Sequence, residues 1–224
     1  MKIFHFCVVE EGALQFLSRA SRVCRSWYEM TSQPSLWEKV DLSYVLAKRG
    51  EKYMEWLCKN RLVKTTDLNL SRCKEVNSKI LTMISQNCPN PRSINLSYYK
   101  KCSSETPTIL AEGCKLLEDV DVSFTNKRVV SSIPLRRFIN IQGSCLKRLT
   151  LGGNTFVGFD LVLNSLTKKC PNLELLDISN AQFSNNNMAF NIEKFQAGCP
   201  KLEVLRLANS PFIANECSQE ECTV

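Results

Sequence analysis

The residues of this 224-residue chain that could carry nucleophilic or metal chemistry are twelve cysteines and a single histidine, His5. A Ser/His/Asp triad, a Cys/His pair or a histidine-rich zinc site would each have to be built around His5, which argues against most hydrolase chemistry. Cys73, Cys88, Cys102 and Cys114 are the alternative, as zinc thiolates. Their separations of 15, 14 and 12 residues contain no C-x-x-C pair, so a packing role is the better reading. Cys217 and Cys222 lie in a polar tail whose acidic neighbours disfavour a reactive thiolate. The residue types therefore imply no catalytic residue, no metal and no cofactor, and the chain reads as a binding protein rather than an enzyme.

The elements that would position such residues follow from composition. At 44% hydrophobic and 23% charged residues, the chain is too apolar for disorder and long enough for a substantial core. Twelve cysteines are about 5% of the chain, below the level of a disulfide scaffold, and no segment has the length of a membrane span. Met1 to Val9 has one lysine and a mostly apolar run, but Glu10 and Glu11 follow at once and no small-residue cleavage site is present. A reducing compartment is expected, cytoplasmic and/or nuclear, where thiols behave as small buried hydrophobes. The net charge is +7, but the basic pairs Lys100-Lys101, Arg136-Arg137, Lys147-Arg148 and Lys168-Lys169 are scattered and lack stacking aromatics. Neither a nucleic-acid nor a membrane partner is implied.

The chain repeats itself. Cys170-Pro171-Asn172-Leu173-Glu174-Leu175-Leu176-Asp177-Ile178 returns as Cys199-Pro200-Lys201-Leu202-Glu203-Val204-Leu205-Arg206-Leu207. The same frame fits Cys88 with Ile94 and Leu96, Cys114 with Leu117, Val120 and Val122, and Leu146, Leu149 and Leu151 if Cys145 is displaced by two. Degenerate copies are Asp67-Leu68-Asn69-Leu70-Ser71 and Val40-Asp41-Leu42-Ser43. The last strand residues thus fall at 42, 70, 96, 122, 151, 178 and 207, with steps of 26 to 29 residues. A period of this size carrying L-x-x-L-x-L is the signature of leucine-rich repeats, in which neither strand nor helix can bury its apolar side alone. Helical stretches are predicted over 77–87, 157–169 and 188–197, with Ile80, Leu81 and Ile84, then Leu161, Leu163 and Leu166, then Ile192 and Phe195 as their apolar stripes. The fold class is α/β: a solenoid with a curved parallel sheet on the concave side and helices on the convex side. A module of residues 1–40 precedes repeats over 41–224, which supply six to seven strands and a C-terminus without a cap.

Because x-L-x-L-x alternates, the intervening residues face outward on a continuous sheet. They are Lys39, Asp41, Asp67, Asn69, Ser93, Asn95, Asp119, Asp121, Arg148, Thr150, Leu175, Asp177, Val204 and Arg206. Five acidic and three basic residues give this surface a charge of −2 in a chain of +7, which suits a basic or hydroxyl-rich partner segment. The expected recognition residues are Asp67, Asn69, Asn95, Asp119, Asp121, Arg148, Thr150, Asp177 and Arg206. Equally, Asp or Asn before the last apolar residue and Ser after it could recur because they hydrogen-bond along the sheet edge.

The cysteine before each strand, and Cys73 three residues after Leu70, resemble the cysteine-containing subfamily of leucine-rich repeats over about residues 62 to 210. Ahead of them, residues 14 to 42 read as a helix with Leu14, Leu17, Ala20, Cys24 and Trp27 near one face, a polar break, and a second helix holding Leu36 and Trp37. The string Leu17-Ser18-Arg19-Ala20-Ser21-Arg22-Val23-Cys24-Arg25-Ser26-Trp27, then Pro34-Ser35-Leu36-Trp37 and Val40-Asp41-Leu42-Ser43, resembles the second half of an F-box. The order of the two halves is similar to that of the F-box and leucine-rich repeat family. An F-box opens with a Leu-Pro turn and a first helix, of which Ile3-Phe4 is the only match, so the module is expected to be partial. The resemblance implies a non-catalytic substrate receptor of an SCF-type ubiquitin ligase, bound to a Skp-family adaptor and through it to a cullin, with protein substrates held on the repeats. It places Val23, Cys24, Trp27, Leu36 and Trp37 in the adaptor contact or the F-box core. A repeat scaffold without ligase attachment is the alternative.

Overall fold

The computed structural model describes residues 1–43, 50–73, 76–99, 105–125, 129–184 and 188–214. Three helices come first: α1 (Lys2–Glu11), α2 (Ala13–Ala20) and α3 (Arg25–Thr31), then a 3₁₀ turn at Pro34–Trp37. The repeats begin with β1 (Lys39–Asp41), α4 (Gly50–Asn60), β2 (Asp67–Asn69), α5 (Ser78–Asn87), β3 (Ser93–Asn95), α6 (Thr106–Gly113) and β4 (Asp119–Asp121). They continue as β5 (Val129–Ser131), α7 (Ser132–Gln142), β6 (Arg148–Thr150), β7 (Thr155–Val157), α8 (Phe159–Lys169), β8 (Leu175–Asp177), β9 (Gln182–Phe183), β10 (Met188–Phe190), α9 (Ile192–Gly198), β11 (Val204–Arg206) and β12 (Phe212–Ala214).

One parallel seven-stranded sheet runs β1-β2-β3-β4-β6-β8-β11. Its register aligns Val40, Leu68, Ile94, Val120, Leu149, Leu176 and Leu205, so the repeat period of the sequence is the strand-to-strand step of the sheet. These central residues point at the helices, and all but Leu205 are buried. Truncating one such leucine to alanine typically costs about 2–5 kcal/mol, so each layer is a substantial part of a domain's net stability. A second, shorter parallel ladder, β5-β7-β9, and the pair β10-β12 lie where the chain enters the helices. In register there, Phe156 and Phe183 meet Phe159, and Phe212 follows at 4.8 Å from Phe183, a spine of rings that leucine counting alone does not show.

The cysteines mark helix ends. Cys88, Cys114, Cys170 and Cys199 each donate their backbone N–H to the carbonyl four residues earlier and then leave helical geometry. Proline follows three of them, and the residue before a proline is pushed from the α region toward extended backbone. In the fifth repeat this place belongs to Gly143, not to a displaced Cys145: a Cβ there would lie 2.5 Å from the Ile139 carbonyl oxygen and 2.7 Å from that of Lys169. Gln142 beside it is buried and donates to the carbonyls of Ala111 and Cys114.

Burial pushes the thiols of Cys58 and Cys199 up to about 11 and those of Cys114 and Cys170 up to about 12. A thiol whose pKa is raised on folding keeps its proton in the native chain after the unfolded chain has lost it. Its contribution to stability is therefore present below about pH 9 and is lost as pH rises through the folded values. A colorimetric thiol assay at pH 8 should accordingly titrate exposed Cys24 at once and the buried cysteines only on adding denaturant. Rapid modification of all of them in the native chain would overturn their placement in the core.

Several expectations need correction. The helix expected through Leu14 to Trp27 is broken at Ser21–Cys24, where Arg22 and Val23 bond to carbonyls three residues back and Cys24 is extended. Leu36 and Trp37 sit on a single 3₁₀ turn that starts at Pro34, not on a second α-helix. Met188–Phe190 is a strand, with the helix starting at Ile192, and Val157 ends a strand before α8. Leu161 and Ile192 are exposed: strand pairing fixes where each helix begins, and that rotates the buried face onto Leu163, Leu166 and Phe195. Cys102, Cys217 and Cys222 lie outside the described residues. Among the described residues no strand covers the outer edge of β11, and no helix is long and apolar enough to cross a membrane.

Candidate interaction surfaces

The N-terminal module is built on three buried anchors. Phe4 of α1 packs edge-on against Phe16 at 5.4 Å and Trp27 at 5.1 Å. Trp37 is buried, and its indole Nε1–H donates to the Thr31 carbonyl at 2.8 Å. Leu36, beside it, is buried in the same core. The five F-box residues singled out from sequence therefore divide: Leu36 and Trp37 are core, whereas Val23 and Cys24 are exposed and Trp27 is 40% exposed. Sequence could not make this division, because both sets are apolar residues at helix-like spacing.

Helix α1 is apolar on two sides. Phe4 and Val8 face the module, while Ile3 (75% exposed), Phe6 (68%) and Val9 project on the opposite side. At 100° per residue, positions 3, 6 and 9 span one flank and positions 4 and 8 the other. Isolated exposed apolar residues are ordinary, but a stripe on a helix that already buries its other face marks a contact surface. This stripe went unassigned in the sequence reading, which used only Ile3-Phe4, although its three-residue spacing was visible.

The sheet presents its predicted outward residues as expected from the frame: Asp67, Asn69, Asn95, Asp119, Asp121, Arg148, Thr150 and Asp177 lie on exposed or half-buried strand positions beside buried ones, and Arg206 is exposed on the edge strand, whose central Leu205 is itself half-buried. They form two columns with different chemistry. In the second column, Oδ1 of Asp41, Asn69, Asn95, Asp121 and Asp177 accepts the backbone N–H of the serine two residues on, at 2.8–3.0 Å. These side chains close the turn that ends each strand, so the edge-bonding alternative holds for them. In the first column, Asp119 meets Arg148 at 2.9 Å, and in the second Arg206 reaches Asp177 at 3.5 Å. At the strand entrances Glu118 bridges Arg92 and Lys147, whose hydrogen bonds and charge hold its carboxyl below the usual carboxylate range, with the Lys147 bond first among them. These pairs are exposed and worth about 0–1 kcal/mol each.

A direct consequence is that Asp121→Lys is a poor probe of recognition, since it removes a turn acceptor as well as a charge. Asp121→Ala should lower unfolding free energy by about 1 kcal/mol, the typical net worth of one such bond, as read by urea denaturation. Unchanged stability would mean that Ser123 keeps its turn without the carboxylate.

Three residues beyond each of the strands β2, β3, β4, β6, β8 and β11 the backbone is left-handed: Arg72 (φ 57°), Tyr98 (57°), Phe124 (52°), Gly153 (68°), Asn180 (58°) and Asn209 (56°). Glycine and asparagine adopt this conformation readily, whereas other residues sacrifice about 1–2 kcal/mol. Arg72, Tyr98 and Phe124 are therefore exceptions within a column that elsewhere uses the permissive types. Their side chains form one stack. The Arg72 guanidinium lies 4.9 Å over the Tyr98 ring, Tyr98 and Phe124 are parallel within 4° at 4.8 Å, and Phe124 lies so close to Gly153 that a Cβ there would come within 2.2 Å of its ring. Sequence reasoning missed this column, although 72, 98 and 124 carry the same 26-residue step as the strands.

Residues 1–43 match the F-box-like family. Over 196 residues the chain is 24% identical to the Putative F-box/LRR-repeat protein 9 of Arabidopsis thaliana, covering 75% of this chain and 80% of that protein. The chain thus resembles F-box and leucine-rich repeat proteins, in its first 43 residues by the family match and over three quarters of its length by this relative. A chain in the crystal structure of the Rad7 and Elc1 complex in yeast superposes with a TM-score of 0.48 at 19% identity, over 75% of this chain and 48%, about half, of the yeast chain. In this chain the F-box-like residues 1–43 hold Leu36 and Trp37 in their core and carry the outward stripe of α1 on their surface. The repeats supply the uncovered sheet.

Proposed function

We propose that this F-box and leucine-rich repeat chain is the non-catalytic substrate-recognition subunit of an SCF-type ubiquitin ligase. Its F-box module docks on a Skp-family adaptor, and through it on a cullin, by the outward flank of α1 with Val23, Cys24 and Trp27 on the neighbouring surface. The outward stripe Ile3, Phe6 and Val9 is the observation that supports this reading. A helix apolar on both flanks is stable in water only at a cost that a partner removes, and here it belongs to an F-box-like module. Leu36 and Trp37 act beneath that surface as the core that positions it. Protein substrates rest on the exposed sheet, with Asp67, Asn69, Asn95, Asp119, Asp121, Arg148, Thr150, Asp177 and Arg206 as its polar lining. Ubiquitin transfer belongs to other subunits, and the site of action is the cytoplasm and/or nucleus.

The test is co-purification of the 224-residue chain with a Skp-family adaptor, followed by reconstitution with cullin. A stoichiometric complex is expected. A folded chain that captures no adaptor would leave the scaffold reading in its place.

A further inference from the structure

A hollow lies at the junction of the two parts of the chain, between α2 and α3 on one side and α4 on the other. Its walls include Ser18, Arg22 and Tyr28 from the N-terminal module, Trp37 from the 3₁₀ turn, and Trp56 and Arg61 from the first repeat. The space is about 130 Å³, several times what one water needs. No aspartate or glutamate lines it, so the two guanidiniums give it a charge of +2.

These two arginines differ from the others in having no counterion. Arg19, Arg25, Arg92, Arg137, Arg148 and Arg206 each form an ion pair with a carboxylate, whereas among the described residues neither Arg22 nor Arg61 does. Arg61 is nonetheless held in place. Its guanidinium lies 5.1 Å from the Trp56 ring centre and 6.0 Å from that of Trp37. It spends two of its five N–H donors, on the Ser32 hydroxyl at 3.0 Å and the Asn60 carbonyl at 3.2 Å. The Arg22 side chain and the hydroxyls of Ser18 and Tyr28 have no hydrogen-bond partner among the described residues. A half-buried guanidinium fixed by aromatic rings, with a second lining the same hollow, is completed by an anion from outside the chain. Two charges and several donors suit a tetrahedral dianion better than a carboxylate, and a phosphate monoester carries about −1.5 to −2 at pH 7 on three acceptor oxygens.

We infer that the junction of the F-box-like module and the first repeat is a binding site for a small free phosphate monoester. Its phosphoryl oxygens are taken by Arg22 and Arg61 and by the hydroxyls of Ser18 and Tyr28. Because Arg22 belongs to the module and Arg61 to the repeat, the ligand ties the two together, in addition to the Thr65–Trp37 hydrogen bond that the chain makes itself. No residue of α1 and no outward strand residue lines the hollow, so the site stands or falls apart from adaptor docking and from substrate capture on the sheet.

The experiment is isothermal titration calorimetry on the 224-residue chain with glycerol phosphate as the probe and glycerol and acetate as controls. Saturable one-to-one binding of glycerol phosphate is expected, with acetate about tenfold or more weaker for want of the second charge, and no binding of glycerol. Arg22→Gln is the discriminating variant, because that side chain is exposed and bonds to nothing among the described residues, so the fold does not depend on it. It should bind about tenfold more weakly. Lys201→Gln, an exposed position of the last repeat that loses the same charge, should bind as the wild type does. At a hundredfold excess over Kd the ligand should raise the melting temperature of the wild type by about 5–10 °C, and that of Arg22→Gln by about half as much. No binding by the wild type, equal binding by Arg22→Gln, or an equal loss in Lys201→Gln would each overturn the inference, the last by showing bulk charge at work. A phosphoserine peptide bound more tightly than glycerol phosphate would overturn the free ligand, by showing that the site reads a protein chain.

Discussion

A chain carrying Ile3→Glu and Phe6→Glu should fold as the wild type does and lose adaptor capture by about 100- to 1,000-fold. The magnitude follows from two well-seated apolar anchors worth about 2 kcal/mol each, at 1.4 kcal/mol per tenfold. Folding should survive because neither side chain contributes to the core, being 75% and 68% exposed. Surface substitutions of this kind stay within about ±0.5 kcal/mol. Glutamate also adds a repulsive element that alanine lacks: two charges that must be desolvated against an apolar partner. A thermal melt and an adaptor pull-down on the same preparation check both halves. Full capture by the folded double variant would remove α1 from the interface. Trp27→Ala would be less clear, since its ring both reaches solvent and braces Phe4 at 5.1 Å, so packing and binding would change together.

The second large effect is on stability. Trp37→Ala should destabilise the chain by about 3–5 kcal/mol, the usual cost of emptying a buried tryptophan site. Two further losses press it toward the upper end. The Thr31 carbonyl loses the indole N–H that it accepts at 2.8 Å, and the turn that aligns the Trp37 carbonyl with the Thr65 hydroxyl, also at 2.8 Å, is loosened. The second bond ties the F-box module to the first repeat, and Arg61 stacks between Trp37 and Trp56, so the damage should spread into the solenoid. Urea denaturation followed by tryptophan fluorescence and by circular dichroism reads this. A midpoint within error of the wild type would show that Trp37 is not the keystone its burial implies. Together the two variants separate what one mutation cannot: loss of adaptor capture with an intact fold, and loss of the fold itself.

What the sequence determined by itself is the repeat and the main sheet that it spaces. The steps between residues 42, 70, 96, 122, 151, 178 and 207 place every strand of the main sheet in register, because a parallel stack buries its leucines only when equivalent positions align. The outward residues followed from alternation alone. The F-box half was legible as a motif, since Val23, Cys24, Trp27, Leu36 and Trp37 keep their spacing whether buried or exposed.

Tertiary structure decided the rest, wherever a residue's role depends on what packs against it rather than on its type. Leu36 and Val23 look alike in a string, and only the packing of the folded module buries one and leaves the other in water. Asp121 and Asp67 carry the same group on one sheet face, yet one closes a turn onto Ser123 and the other accepts the hydroxyl of its neighbour Thr66. Helix starts at Phe159 and Ile192 were set by the short strands β7 and β10, whose pairing energy is not local to the residues that pair. The stack of Arg72, Tyr98 and Phe124 joins residues 26 apart through a backbone conformation their types disfavour, so propensity pointed away from it. Local physics reaches only as far as a turn or a strand. Contacts between repeats are made by folding, and with them come the exposed faces on which this chain acts.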